Sequence, residues 1–327
     1  MNILISGGAG FLGTLLAGEL LKRDCLRGQS LTMLTLTDLV APSRQEIVQN
    51  PKVRIDTGDL LLSLPELLKK DYDAVFHLAS AVSGECEADF ELGLRSNLDA
   101  TRALLEGLRA QHARTGRAPI LFFASSVAVF GSDPAIAMPS VVTDATLPTP
   151  QSSYGIHKFI CEQLIADYTR KGFIDGRVAR LMTVSVRPGR PNGAASSFLS
   201  GIIREPLSGV AACCPVSLDT PVALSSPLTS IAGVLAVVEA TREAFGGRTA
   251  LNLPALTVTV GEMLQALREV AGDQVASRVA VEPDEQIMRI VGGWPSTFDC
   301  QRTHRLGLKP DASYQDIIRQ YLEMTRI

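Results

Sequence analysis

The run Gly7-Gly8-Ala9-Gly10-Phe11-Leu12-Gly13 follows an apolar stretch, Asn2-Ile3-Leu4-Ile5-Ser6, and opens a segment, residues 11–22, whose leucines recur at helical spacing. A GxxGxxG run between a strand and a helix leaves few folds open. Without a Cβ, the glycines permit a tight turn, let backbone approach a pyrophosphate and let the helix pack closely on the strand. The helix N-terminus adds partial positive charge. Gly7, Gly10 and Gly13, with Phe11 and Leu12 at the helix opening, are therefore expected to hold a dinucleotide. The competing reading is a glycine-rich turn with no ligand.

Up to about residue 190, short apolar segments alternate with amphipathic ones, the pattern of βαβ units feeding a parallel sheet. Strands are expected at 2–6, 31–37, 53–57, 74–77, 120–124 and 178–186, and helices at 11–22, 96–114 and 154–171. Beyond Pro188 the texture changes: Pro191, Pro206, Pro215, Pro221 and Pro227 interrupt the chain, and regular periodicity fades until about Ile231. A helix at 229–242, a strand at 250–253, a capped helix after Val260 and a helix at 313–324 complete the chain. The expected fold is α/β, a Rossmann-type doubly wound parallel sheet with a smaller α/β substrate lobe at the C-terminal side. The dinucleotide domain is placed at 1–187, rejoined by about 216–255, and the substrate-binding lobe at 188–215 and 256–327.

At 327 residues, 46% hydrophobic and 20% charged, the chain can bury a large core and has the balance of a globular protein. A net charge of -3 gives no global basic field, so nucleic acid and anionic membranes are not expected partners. The six cysteines form no CxxC pair and have no His-rich partner segment, which argues against a structural zinc site, and no metal is expected. Scattered thiols, no signal-peptide pattern and no apolar run of about 18 residues fit a cytoplasmic protein.

Asp38 ends the second strand, where this kind of fold places the acid that accepts hydrogen bonds from the adenosine ribose hydroxyls. Its charge would repel a 2′-phosphate, and no Arg or Lys follows until Arg44, so NAD is favoured over NADP. Asp59 and Leu60 follow the third strand, where they could meet the adenine edge or simply form a turn. Leu78, Ala79 and Ser80 follow the fourth strand and would bring backbone close to the cofactor. His77, with no carboxylate partner in view, reads as structural.

A second cluster carries the chemistry. Ser125-Ser126-Val127-Ala128-Val129-Phe130-Gly131 follows a buried strand, and Tyr154-Gly155-Ile156-His157-Lys158 opens a helix. Positions i and i+4 share a helix face, so the Lys158 ammonium can lie near the Tyr154 phenol. A positive charge there favours phenolate and makes the Tyr a usable general base. YxxxK alone is a weak signal, and a surface Tyr and Lys is its bland reading. The glycine loop and the serine pair lift it above that.

Together these residues resemble the extended short-chain dehydrogenase/reductase family, the NAD-dependent epimerases and dehydratases. The likeness covers nearly the whole chain and takes in Asn97 with Thr101, Ser126-x-x-Val129-Phe130-Gly131 and Arg187-Pro188-Gly189. The family's aromatic before that glycine is usually Tyr, and Phe130 is expected to keep the ring packing. The resemblance implies NAD as cofactor, with Asn97 and Thr183 among its contacts and Ser126, Tyr154 and Lys158 as catalytic residues. It also implies a homodimer built on the helices at 96–114 and 154–171.

Within the family, dehydratases carry an acid two residues after the catalytic Ser, where this chain has Val127-Ala128. Epimerases clamp a diphosphate with Arg or Lys in the second lobe, yet from Glu205 through Thr241 there is neither. Arg187, Arg190 and Arg204 suffice for one carboxylate, or they pair with acids structurally. The stretches Thr143-Asp144-Ala145-Thr146, Ser152-Ser153-Tyr154-Gly155 and Ile203-Arg204-Glu205-Pro206-Leu207 are similar to family members that oxidise a small sugar acid. That likeness implies NAD-dependent oxidation of the C2 hydroxyl of a four-carbon aldonate. Tyr154 would take the hydroxyl proton, Ser126 would hydrogen-bond the same oxygen and Lys158 would bind the nicotinamide ribose. Ser125, Arg187 and Asn192 would orient the substrate. A sugar-nucleotide 4-epimerase is the alternative enzyme, and a non-catalytic dinucleotide-binding subunit the alternative of another class.

Overall fold

A computed structural model describes residues 1–189 and 194–325. The principal elements of its first part are β1 (Asn2–Ser6), α1 (Phe11–Arg23), β2 (Met33–Asp38), β3 (Val53–Thr57), α2 (Leu60–Leu67), β4 (Ala74–His77), α3 (Ala100–Thr115), β5 (Ile120–Ser126), α4 (Ser153–Arg170) and β6 (Asp175–Leu181). Then come β7 (Thr183–Val184), α5 (Phe198–Leu207), β8 (Pro221–Ser225), α6 (Pro227–Glu239), β9 (Leu251–Asn252), β10 (Leu256–Thr259), α7 (Val260–Ala271) and α8 (Tyr314–Thr325).

Seven strands form one sheet in the order β9-β6-β5-β4-β1-β2-β3. β1 pairs in parallel with β2 and β4, in register Ile3 with Leu34 and with Ala74. Consecutive residues of β1, Ile3, Leu4 and Ile5, are all buried, as a parallel sheet covered on both faces requires. The strand order reverses at β1, so the loops after β1 and β4 leave the sheet side by side at its carboxyl edge, the usual place for a ligand in such sheets. Leu104, Leu105 and Leu108 of α3 lie on one helical face and pack with Leu4, Val75, Leu121 and Phe123 of the sheet and Cys161 and Ile165 of α4.

The chain divides into two compact units, the first comprising residues 1–126, 152–180 and 233–251 and the second 127–151, 181–232 and 252–327. This moves the boundaries expected from sequence. Residues 127–151 belong with the second unit because Val142–Thr143 pairs with Phe298–Asp299 and Phe130 packs edge-on against Phe298. The single strand expected at 178–186 is two strands: β6 lies in the large sheet, while β7 pairs with β8 in a three-stranded sheet completed by antiparallel β10. Of the expected return at 216–255, only 233–251 rejoins the first unit.

The second unit has its own core, formed by Leu199, Ile202 and Ile203 of α5, Met263, Ala266 and Leu267 of α7, and Ile317 and Ile318 of α8. α5 arises where periodicity was expected to fade. Pro206 sits in its last turn, where one lost backbone bond matters little beside three buried aliphatic side chains. α7 carries the expected cap: Thr259 Oγ1 accepts from Glu262 N, and the Glu262 carboxylate accepts from Thr259 N at 2.6 Å. Among the described residues no helix is long and apolar enough to cross a membrane.

Candidate active site

The glycine loop is closed by backbone. Gly7 N and Gly8 N both donate to Thr37 O of β2, at 2.9 and 3.1 Å, and Gly10 N donates to Gly7 O at 3.2 Å. Gly7 takes φ 76°, a conformation that favours glycine. A Cβ there would stand 2.8 Å from Ala79 N, so the loops after β1 and β4 touch through backbone. A Cβ on Gly13 would stand 2.0 Å from Gly7 O. No side-chain oxygen caps α1 at Gly10, so the first-turn amides, which have no partner inside the helix, are available to an anion. A cradle that only glycine can line, at a helix N-terminus, fits a dinucleotide pyrophosphate. Phe11 and Leu12 sit half-buried at the start of that helix.

Around this loop, Asp38 at the end of β2 accepts from Ala9 N at 2.9 Å and from Leu39 N at 2.7 Å, which ties the acid to the glycine turn. Asp59 caps α2 through Leu62 N and pairs with Arg95 at 2.9 Å, and Leu60 begins the helix. Asn97 departs from a direct contact. It is buried in a π-helical turn, Leu94–Asp99, and its side chain accepts from Ala81 N and Ser80 Oγ while donating to Ala81 O. It therefore ties down Ser80 and Ala81 at the end of the loop that follows β4.

His77 is structural, as its sequence context suggests. Thr101 Oγ1 spends its proton on Asn97 O at 2.6 Å, so at 2.9 Å it accepts from His77 Nε2, and Nδ1 accepts from Ser6 Oγ at 2.6 Å. Burial, and secondarily the Lys158 charge, push His77 down to about 3 and keep it neutral.

Ser152 caps α4 by accepting from Gly155 N, which puts Tyr154 in the helix's first turn. One turn on, Lys158 is buried, and its Nζ donates to Ala124 O of β5 at 2.9 Å. The ammonium lies 5.5 Å from the Tyr154 ring centroid and 4.8 Å from that of Phe123. The i, i+4 spacing thus brings cation and phenol together, with half-buried Ser126 at the end of the strand that Lys158 holds. Ser125 is a correction. Its side chain turns into the first unit, 2% exposed, and donates to Glu162 Oε1 at 2.5 Å. Adjacent strand residues point to opposite faces, so Ser125 and Ser126 cannot both serve one substrate. Sequence context did not single out Glu162, which takes the Ser125 hydroxyl, or Arg180, which pairs with Glu162.

In the second unit, Thr183 pairs with Leu224 in the small sheet. Arg187 donates through Nε to Val184 O at 3.0 Å and through Nη2 to Ser196 Oγ at 2.6 Å. Arg204 takes its structural reading: it is buried, donates to Arg187 O at 2.9 Å and pairs with Glu205 at 2.5 Å. Asn192 and Arg190 lie outside the described residues. Phe130 keeps the ring packing expected of it. Among the described residues no cluster of His, Cys, Asp or Glu could hold a metal ion, and all six cysteines are free thiols.

Comparison with known proteins agrees with this geometry. Over 99% of its length the chain is 51% identical to D-erythronate dehydrogenase of Cupriavidus necator, of which it covers 98%. It is 40% identical to D-erythronate dehydrogenase of Haemophilus influenzae, covering 99% of both chains. The crystal structure of a nucleoside-diphosphate-sugar epimerase from Agrobacterium tumefaciens superposes with a TM-score of 0.92 at 38% identity, over 99% of this chain and 94% of that one. Residues 3–223 match the NAD dependent epimerase/dehydratase family, and the chain belongs to that family.

Proposed function

We propose that this chain, an NAD-dependent dehydrogenase, oxidises the C2 hydroxyl of a four-carbon aldonate, D-erythronate or a close relative, to the 2-keto acid. The observation that carries the substrate is the 51% identity, along nearly the whole chain, to a protein named D-erythronate dehydrogenase. The placing of the Lys158 cation beside the Tyr154 ring supports the chemistry.

NAD, when bound, supplies the hydride acceptor. The residues suited to hold it are Gly7, Gly10, Phe11, Leu12 and Gly13 at the pyrophosphate, Asp38 at the adenosine ribose, and Asp59 and Leu60 at the adenine. The loop Leu78-Ala79-Ser80 held by Asn97, together with Thr183, completes the set. Lys158 serves the nicotinamide ribose, with its ammonium 5.5 Å from the centre of the Tyr154 ring. The Tyr154 oxygen takes the proton of the C2 hydroxyl, and Ser126 hydrogen-bonds the same oxygen and holds it in place. Arg187 is assigned to the substrate carboxylate, a role in which it would exchange its bonds to Val184 O and Ser196 Oγ for the acid, and Asn192 is assigned as a further substrate contact.

Tyr154→Phe tests the assignment. Turnover should fall by about a thousandfold, within the range for loss of a general base, while NAD binding by calorimetry stays unchanged. Undiminished turnover would remove Tyr154 from the mechanism. The epimerase reading is favoured by the name of the 38% identical structure. A 4-epimerase would hold NAD tightly, isomerise a UDP-sugar and release no NADH.

Two further readings accompany this one. Ile156 and Ile160 on α4 are 44% and 38% exposed, which supports a homodimer through α3 and α4; a monomer by sedimentation at micromolar concentration would refute it. The free thiols support a cytoplasmic location.

A further inference from the structure

The side chain that takes the Ser125 hydroxyl, Glu162, has no part in proton transfer, and its setting is unusual. Tyr154, Lys158 and Glu162 recur every fourth residue along α4 and so share one face of the helix. Glu162 is 2% exposed. Arg180 of β6 clamps both of its oxygens, Nε to Oε1 at 2.9 Å and Nη2 to Oε2 at 2.7 Å. Oε1 accepts at the same time from Ser125 Oγ at 2.5 Å. One turn earlier, Lys158 Nζ holds Ala124 O at 2.9 Å. Two successive residues of β5 are therefore stitched to two successive turns of α4, and the residue that follows them in the strand is Ser126.

A buried ion pair is a weak source of stability, because desolvating both charges offsets most of their attraction. A fork-to-fork pair that also spends an oxygen on a serine fixes direction: the arginine sets the plane of the carboxylate, and the carboxylate sets the serine. We infer that Glu162, aligned by Arg180, is a positioning residue that acts through Ser125 to fix the end of β5, and with it Ser126, against the helix face that carries Tyr154 and Lys158. This rests on the reading of Ser126, Tyr154 and Lys158 as the catalytic set. A serine hydroxyl displaced by about an ångström at a reacting centre can cost up to about a hundredfold in rate, so a conserved fold with a misplaced Ser126 should lose rate specifically.

Ser125→Ala deletes the link without leaving a buried charge unpaired, and Ser125→Thr restores the hydroxyl. Two readouts separate positioning from mere structure. In the whole protein without substrate, amide hydrogen exchange at 124–127 should quicken by about tenfold in Ser125→Ala and return toward the parent rate in Ser125→Thr, with NAD affinity unchanged in both. With D-erythronate, kcat should fall by about tenfold or more at unchanged KM, and the isotope effect with C2-deuterated substrate should rise as the chemical step slows; Ser125→Thr should recover most of the rate. Unchanged exchange at 124–127 would overturn the inference. So would faster exchange with unaltered kcat and isotope effect. If the parent protein itself releases no NADH with any aldonate, the substrate reading fails, and the exchange measurement still decides whether Glu162 fixes the strand end.

Discussion

Replacing Gly13 by Ala should disable dinucleotide binding, and the structure sets the size of the effect. The new Cβ would lie 2.0 Å from Gly7 O and 2.9 Å from both Gly7 C and Gly8 Cα, whereas ordinary contact begins at 3.4 Å. Every one of these atoms is backbone, so no side chain can swing aside, and α1 or the loop must shift by about 1.4 Å. The loop is pinned to β2 by Gly7 N and Gly8 N on Thr37 O and by Ala9 N on Asp38. Relief therefore breaks one or two bonds worth about 1 kcal/mol each, on top of an overpacking cost of about 1–3 kcal/mol. We expect unfolding in urea to show a loss of about 2–5 kcal/mol, and calorimetric titration to show NAD affinity reduced by about thirtyfold or more, because the shifted turn no longer presents its amides to the pyrophosphate. Gly18, five residues on in the same helix, is the control. A Cβ there meets nothing within 4 Å, so Gly18→Ala should raise stability by about 0.5–1 kcal/mol and leave NAD binding alone. A Gly13→Ala protein that binds NAD within about a factor of three of the parent would refute the steric argument.

His77, neutral when folded and held down to about 3, makes stability depend on acid. Above pH 6.5 neither state binds the proton. As pH falls from 6.5 toward 3 the unfolded chain takes a proton that the folded one refuses, and stability drops by about 1.4 kcal/mol per pH unit. The stability difference between parent and His77→Gln should therefore shrink by about 2.3 kcal/mol between pH 6.5 and 4.5 in urea unfolding, and parallel pH profiles would contradict the neutral assignment. Asp38→Asn removes the charge proposed to face the adenosine ribose, where it would repel a 2′-phosphate, at the expense of one of its two backbone bonds. The ratio of kcat/KM with NAD to that with NADP should fall by about tenfold, and an unaltered ratio would take Asp38 out of cofactor choice.

Much of the geometry of the candidate dinucleotide site is legible because local rules write it in sequence: glycines at fixed offsets after a strand, an acid ending the second strand, and a cation four residues beyond a tyrosine on a helix. The parts that were not legible depend on tertiary pairing. Residues 127–151 read as a continuation of the first domain, because nothing local shows that Val142–Thr143, a strand of two residues, will pair with Phe298–Asp299. Ser125 and Ser126 are the same residue type side by side, and only the orientation of β5 against α4 decides which is buried on Glu162. Asn97 is expected from sequence to contact the cofactor, whereas its side chain is committed to Ala81 and Ser80 through a π-helical turn that periodicity does not reveal. Glu162 did leave a signal. It continues the Tyr154–Lys158 face by one more turn, and an acid on a buried helical face calls for a basic partner, which Arg180 supplies.

The most direct test of the account is NADH formation, followed by its near-ultraviolet absorbance, when purified protein is given NAD and D-erythronate, with neighbouring four- and five-carbon aldonates and UDP-sugars in parallel. NADH is expected with D-erythronate or a close aldonate and none with UDP-sugars. Isomerisation of a UDP-sugar with no NADH from any acid would contradict it and establish an epimerase.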